Sequence, residues 1–495
     1  MNIRPPFIAL LGLLFLGTLP AFAGVPVSDD LVIRGNTVLA PGTYTVDDVH
    51  GDGVIQIAAD HVTLDGTGVV IQGTSFRGVA IRMNGHSGLT LRNFTIRGFD
   101  YGISIENAAN VLLEGNDVSG NRKDTTTEFL DIGCGGCYGG GILLRNVRGS
   151  RVRDNTLTDE STGLEVIGGT RNTIARNLFS QGPEGNESRQ DSAWGLRLDG
   201  STENVVRGNV ADYVDRERYG LSSGDSAGFL LVSGADRNQI VGNSFTHSGD
   251  GFFLGNSCAR QSDENYVANN DGSFSPHNAF EATFSSGNVF DRNRANHSDY
   301  GFWLGYSHDS RVTGNEIAGN ATAGIAIEHG HGNEIDHDAV THNGQFGIRL
   351  WAADTACPWP ECGGSCPSAA YRIHDNTVTL NGIGISIDDT AGATATRNRL
   401  VDNSFITFRV GGRSPRTIVN NNDLTCHPAG ATPCLYRFSN EMSSLGVDAA
   451  SNYWGTTNAA TIPSLIFDHA DEASLGTVTF LPILRRPVSP GKDAE

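Results

Sequence analysis

Apolar residues recur along this chain in short alternating bursts of three to five residues, a strand period rather than a helical one. The bursts come in pairs. One reads x-x-Ile/Val-x-x-Asn, the next reads Gly-Ile/Phe-x-Ile/Leu, and a short turn follows each. Ser310-Arg-Val-Thr-Gly-Asn315 precedes Gly324-Ile-Ala-Ile327, and Asn333-Glu-Ile-Asp-His-Asp338 precedes Gly347-Ile-Arg-Leu350. The Asn position recurs at Asn155, Asn177, Asn209, Asn243, Asn270, Asn293, Asn315, Asp338, Asn376, Asn398 and Asn421, and its shortest spacings are 22 or 23 residues. Strands this short cannot bury an apolar face alone, whereas stacked units bury a continuous column. Two or three such strands per repeat, with Gly and Asn at the turns, predict one coil of a parallel β-helix. The Asn residues are expected to stack at one corner, each amide bonded to the next, in backbone that tolerates a left-handed conformation.

Composition fits that pattern. Glycine occurs 63 times in 495 residues, without the every-third-residue register of collagen. The formal charge of -20 argues against a nucleic-acid partner, which needs clustered Lys and Arg. Residues 1–23 read as a secretory signal: an apolar run from Phe7 to Leu16, then Ala21-Phe22-Ala23, with cleavage expected after Ala23. No later stretch approaches the ~20 apolar residues of a membrane span. A secreted or periplasmic protein is therefore expected, with its eight Cys oxidised to disulfides of open connectivity. Cys134-Gly-Gly-Cys137 also has the spacing of a metal or redox pair.

These repeats resemble the right-handed parallel β-helix proteins of the pectin-lyase-like class, with repeats of the carbohydrate-binding and sugar-hydrolase type. The resemblance implies an all-β solenoid of about fourteen coils over residues 61–440, roughly 65 Å long at ~4.8 Å per stacked strand. Residues 24–60, with Gly42-Thr-Tyr44, resemble an N-terminal cap. Residues 441–495, with Ser451-Asn-Tyr-Trp-Gly455 and Thr479-Phe-Leu-Pro-Ile483, resemble a closing segment. Caps protect the open sheet edge at each end. Long stretches outside the minimal coil, at 121–138, 181–192, 213–226, 258–277 and 355–370, are expected to form loops walling a cleft.

In-register stacking turns outward positions into vertical columns. One column reads Arg197, Phe253, Glu281, Trp303, Ala326 and Arg349; another, two residues on, includes Glu328 and Trp351. Tyr306 and His329 follow at the next corner. Aromatic faces beside charged hydrogen-bonding groups suit a sugar ring, so Phe253, Trp303, Tyr306, His329, Arg349 and Trp351 are the expected substrate-binding residues. Glu281, Glu328, Asp299, Asp250 and His277 are the catalytic candidates. Glu281 and Glu328 lie two coils apart, roughly 9 to 10 Å along the axis, at the long end of the spacing used by inverting glycosidases. Asp250 and Asp299 offer closer partners. A hydrolase would use Glu281 as acid and one of the other acids as base. A lyase or epimerase would draw on His277, Tyr300, His308, His329 and Arg349. Alginate-type enzymes carry their His in Asp-Pro-His-Asp; Ser275-Pro-His-Asn278 shares the Pro-His centre and lacks both acids.

The expected partner is a polysaccharide and the expected state a monomer. No residue is assigned to a metal, although calcium is a candidate ion for bridging uronates. On an extended strand His329 and His331 share a face. A non-catalytic carbohydrate-binding or adhesive module is the alternative. A copper-accessory role of the NosD type is a third reading, with just three Met in the chain.

Overall fold

The computed structural model describes residues 24–122, 132–179, 193–216, 226–255, 258–352, 368–427, 434–441 and 444–491. Within them the chain winds as a single-stranded right-handed parallel β-helix. A long sheet stacks 17 strands from Leu31–Ile33 to Ile466–Phe467, and a second face stacks 17 from Thr37–Val38 to Val478–Thr479. A third face has two four-stranded stretches, which begin at Gly42–Thr45 and Glu316–Ala318. Single bridges from Asp117↔Thr156 to Arg294↔Glu316 join them. Fourteen of the long-sheet strands fall between residues 61 and 440. The parallel ladder also includes Leu31–Ile33 and Ile55–Ile57 before residue 61, and Val447–Asp448, Ile466–Phe467 and Val478–Thr479 after residue 440.

The repeat motif explains the coil. In Ala323–Glu328, Ile325 and Ile327 point into the core, fully buried, while Ala323, Ala326 and Glu328 lie on the outer side of the sheet. Gly324 lies against the next coil, where a Cβ would come within 2.7 Å of the Gly347 carbonyl oxygen. The Gly opening each Gly-Ile-x-Ile burst therefore serves close coil-to-coil approach. The interior is one continuous column of Ile, Val, Leu and Phe, with rings stacked across coils, as in Phe280–Phe302 at 4.9 Å.

The Asn ladder is present, with two corrections. Amides bond upward from Asn116 to Asn155, Asn177, Asn209, Asn243, Asn270, Asn293 and Asn315 at 2.9–3.1 Å. Asn315 donates to Asp338, and the ladder resumes through Asn376, Asn398, Asn422 and Asn452. The rung is thus Asn422, not Asn421. The left-handed residue is the one before each rung, for example Asp154, Arg176, His337 and Asn421 with φ of 55–58°. The rung itself is spared that strain and spends its amide on the neighbouring coil.

Residues 258–277, expected as an insertion, carry the second-face strand Tyr266–Ala268 and belong to a regular coil. The signal segment 1–23 and most of the other expected loops (123–131, 180–192, 217–225, 353–367) lie outside the described residues. Cys134–Cys137 and Cys426–Cys434 are disulfides, the chemistry of an oxidising compartment. No helix among the described residues is long and apolar enough to cross a membrane.

Candidate functional site

The strands of the long sheet do not alternate cleanly. Positions 3 and 5 face the core, position 2 is in most coils the close-approach Gly (Ala279 in Asn278–Ala282), and positions 1, 4 and 6 all face outward. Register then fixes the vertical neighbours. Phe253 pairs with Glu281, Glu281 with Trp303, Trp303 with Ala326, and Ala326 with Arg349. Glu328 pairs with Trp351, and Asn278 with Tyr300. The columns read from the sequence are therefore physical columns.

The lower part of this outer surface is sealed. Residues 132–138, closed by Cys134–Cys137, lie over it. Glu165 accepts from the Gly136 N–H at 2.8 Å, the Tyr101 hydroxyl at 2.7 Å and Arg197 at 2.6 Å, and Arg197 also donates to the Ile132 carbonyl. Arg197 is fully buried. Phe253 belongs to an apolar cluster with Tyr138, Trp194, Leu230 and Val232 and is 6% exposed. Its ring is packing for that seal, at the boundary of the surface that remains.

Directly above lies a cluster of Asp250, His277 and Glu281, whose nearest side-chain N and O atoms are all within 4.8 Å of one another. Asp250 is 2% exposed and His277 is half-exposed, with Nδ1 of the imidazole 3.0 Å from Asp250 Oδ1. The same carboxylate oxygen accepts the Asn278 backbone N–H at 2.9 Å, which fixes its direction. Asn278 Nδ2 donates to Glu281 Oε2 at 2.6 Å. Asn278 was not among the sequence candidates. It stands at the first strand position, which strict alternation assigns to the core face with Phe280 and Ala282.

The electrostatics follow from those contacts. The hydrogen bond to Asp250 holds the His277 imidazolium, raising its pKa to about 9 against the opposing effect of burial, with the charges of Asp250, Glu281 and Asp299 adding to the rise. At neutral pH His277 is therefore a proton donor beside carboxylates. Burial and the Asp299 carboxylate push the neighbouring Tyr300 phenol upward, so it stays protonated. Asp299 accepts from the Thr322 hydroxyl at 2.5 Å.

Aromatic residues continue the surface upward. Tyr300 meets Trp303 edge-on at 5.0 Å, and Trp303 meets Trp351 at 5.5 Å across the small coil of Ala323 and Ala326. The Arg349 guanidinium sits 4.3 Å from the Trp351 ring centroid and 4.9 Å from that of Phe346, cation–π contacts that hold it flat. Its Nε is buried without a hydrogen-bond partner. Glu328 is half-buried beside this group. Tyr306 and His329 lie apart from it. Both have left-handed backbone, with φ of 58° and 53°. Their rings form a corner stack, Phe284 on Tyr306 at 4.9 Å and Tyr306 on His329 at 5.1 Å. The faces of the Tyr306 ring are therefore covered by neighbours, and His329 is 3% exposed.

Comparison with known proteins gives the class to which the fold belongs. The family described as right handed beta helix region matches residues 78–233 and 221–358, more than half of the chain. The chain belongs to this right-handed β-helix family. Among curated proteins no sequence matches. Several solved structures share the fold at low identity. The A-module of the mannuronan C-5 epimerase AlgE6 of Azotobacter vinelandii is 15% identical, over 83% of this chain and 91% of that one, with a TM-score of 0.37. A double mutant of the periplasmic alginate epimerase AlgG is 11% identical, over 74% and 77%, with a TM-score of 0.45. The catalytic domain of a GH87 alpha-1,3-glucanase in complex with nigerose is 15% identical, over 97% and 70%, with a TM-score of 0.33.

Proposed function

We propose that this protein cleaves glycosidic bonds in a polysaccharide, with His277 as the acid and Glu281 as its nucleophilic partner. The observation that carries the reading is the His277 imidazole, 3.0 Å from buried Asp250 and set beside the Glu281 carboxylate on the outer surface of the rod. His277 gives a proton to the departing glycosidic oxygen. Glu281, aimed by Asn278 and within 4.8 Å of His277, stands at the close spacing of a retaining pair: its carboxylate bonds to the anomeric carbon as the protonated sugar leaves, and water, giving its proton to His277, then releases the second sugar. Asp250 is a positioning residue that keeps the imidazole charged. Tyr300, Trp303 and Trp351 offer apolar ring surface to the chain of sugars, and Arg349 offers a fixed cation. Carboxylates outnumber cations here: Asp250, Glu281, Asp299 and Glu328 against His277 and Arg349. An uncharged reacting sugar, and hence hydrolysis, suits that balance.

Elimination at a uronate is the second reading, favoured by the register that sets Tyr300 beside the His277–Asn278 corner. A panel of neutral and acidic polysaccharides separates the two. Hydrolysis releases reducing ends without ultraviolet absorbance, and elimination adds the absorbance of an unsaturated uronate. Glu281→Gln and His277→Gln are each expected to lower turnover by about a hundredfold or more, with the β-sheet circular dichroism unchanged. Full activity in either variant overturns the assignment. Retention on a polysaccharide without any product returns the protein to the binding-module reading.

A further inference from the structure

One histidine pair lies outside the surface described above. At the corner between the long sheet and the second face, His308 and His331 occupy the same position on successive coils, joined by a parallel bridge. Their imidazoles are face to face, with centroids 4.6 Å apart and planes 7° from parallel. Asp309 completes the group, its Oδ2 2.9 Å from His308 Nδ1. The side-chain ligand atoms of these three residues lie within 4.8 Å of one another. We propose that His308, His331 and Asp309 form a binding site for a divalent first-row transition metal of the zinc class.

The chemistry of the donors selects the ion. Two imidazole nitrogens and one carboxylate oxygen suit zinc, nickel or copper, whereas calcium and magnesium take oxygen donors. The backbone holds the three residues in place. The Asp309 N–H donates to the His331 carbonyl at 3.0 Å, and the His308 N–H donates to the Ser285 carbonyl at 2.9 Å. Tetrahedral ligation with metal–nitrogen bonds of about 2.0–2.1 Å needs the donors about 3.4 Å apart, so the side chains have to close by little more than an ångström. The Asp309 side chain is 67% exposed and that of His308 27%, which leaves them room to do so. Three protein donors leave a fourth position open to water or to an oxygen of a bound molecule.

Of the other three clusters of this kind, Asp29, Asp30 and His50 offer a single imidazole with two carboxylates, and the remaining two are already engaged. Glu334 and Asp336, near His374, are paired with Arg372 and Arg311. Asp250, His277 and Glu281 form the acid–base group. Among the described residues no Lys or Arg forms an ion pair with Asp309, and the coils below and above place Ser286 and Ala369 in the His column. An ion at this corner would cross-link two coils of the rod.

Isothermal titration of ZnCl2 into the full chain, stripped with EDTA and buffered at neutral pH, tests the proposal. One saturable site is expected. His308→Ala and His331→Ala should each weaken it about tenfold or more, and His277→Gln should leave it unchanged. Circular dichroism in EDTA confirms that each variant keeps its β-sheet signal, and His331→Gln replaces His331→Ala where the latter does not fold. No saturable binding by the wild type, equal binding by the His308 and His331 variants, or loss of binding in His277→Gln overturns the assignment.

Discussion

Asp338 is the one acid in the Asn ladder, and Asp338→Asn is the most direct test of how that ladder works. Asp338 Oδ1 accepts the Asn315 backbone N–H at 2.7 Å and the Asn315 amide at 2.8 Å, as an Asn would. Its Oδ2 is buried without a hydrogen-bond partner. In neighbouring rungs that position is an amide nitrogen, which donates to a carbonyl one coil back, as Asn376 does to Ile335. A proton on Oδ2 restores the missing donor, and full burial pushes the Asp338 pKa from 3.8 to about 8. The folded chain therefore holds a proton that the unfolded chain releases between about pH 4 and pH 8, so stability falls as pH rises through that window. A shift of about 4 units at 1.36 kcal/mol per unit gives about 5 to 6 kcal/mol by pH 8, and about 4 kcal/mol at pH 7. Asn at 338 carries the donor at every pH. Guanidinium unfolding of wild type and variant at pH 4, 5, 6, 7 and 8 should give nearly equal midpoints at pH 4. The variant's advantage should then grow by about 1.4 kcal/mol per pH unit and level off near pH 8. A difference independent of pH, or a variant less stable than wild type at pH 8, refutes the reasoning.

Removing an ordinary rung has the opposite sign. Asn293→Ala deletes donations to Val267 O and Asn315 Oδ1 and acceptance from both nitrogens of Asn270, and should cost about 3 kcal/mol or more in denaturant unfolding, because buried backbone groups lose their partners. Asp250→Asn should bring the His277 pKa down from about 9 towards 6.5, so the alkaline limb of the kcat profile moves to lower pH while KM changes little. An unmoved limb removes Asp250 from the positioning role. Trp303→Ala should weaken retention on the polysaccharide substrate about tenfold in affinity electrophoresis, by loss of one aromatic platform of the order of 1 kcal/mol.

The coil was legible because its period is enforced by packing: every 22 or 23 residues the same side chain must re-enter the same column. The error at Asn421 shows how the reading fails locally. Ile418 and Val419 are adjacent and both apolar, and the motif places its Asn three residues after the buried one. Val419 is fully buried and Ile418 is 39% exposed, so the rung is Asn422. The outward columns through Glu281, Trp303 and Arg349 were legible for the same reason as the core. Phe253 was not, because the segment that covers it, 132–138, lies about 115 residues earlier and follows no period. Nor was Asn278, because position 2 beside it, Gly in most coils and Ala279 here, breaks strict alternation.

The histidines of the Ile327–His331 run show what a solenoid does to sequence neighbours. An extended strand would put His329 and His331 on one face as a ligand pair. The left-handed turn at His329, with φ of 53°, ends the alternation there. His329 then joins the stack on Tyr306, which precedes it by 23 residues, and His331 joins the stack on His308, which also precedes it by 23. Partnership is set by the coil period and not by adjacency along the chain. The same rule brings Asp250 to His277 and Glu328 to Trp351. A chemical group in this rod is therefore assembled from residues one coil apart, and a substitution that slips one coil by a single residue should dismantle the acid–base cluster and the His308–His331 pair even when none of their members is touched.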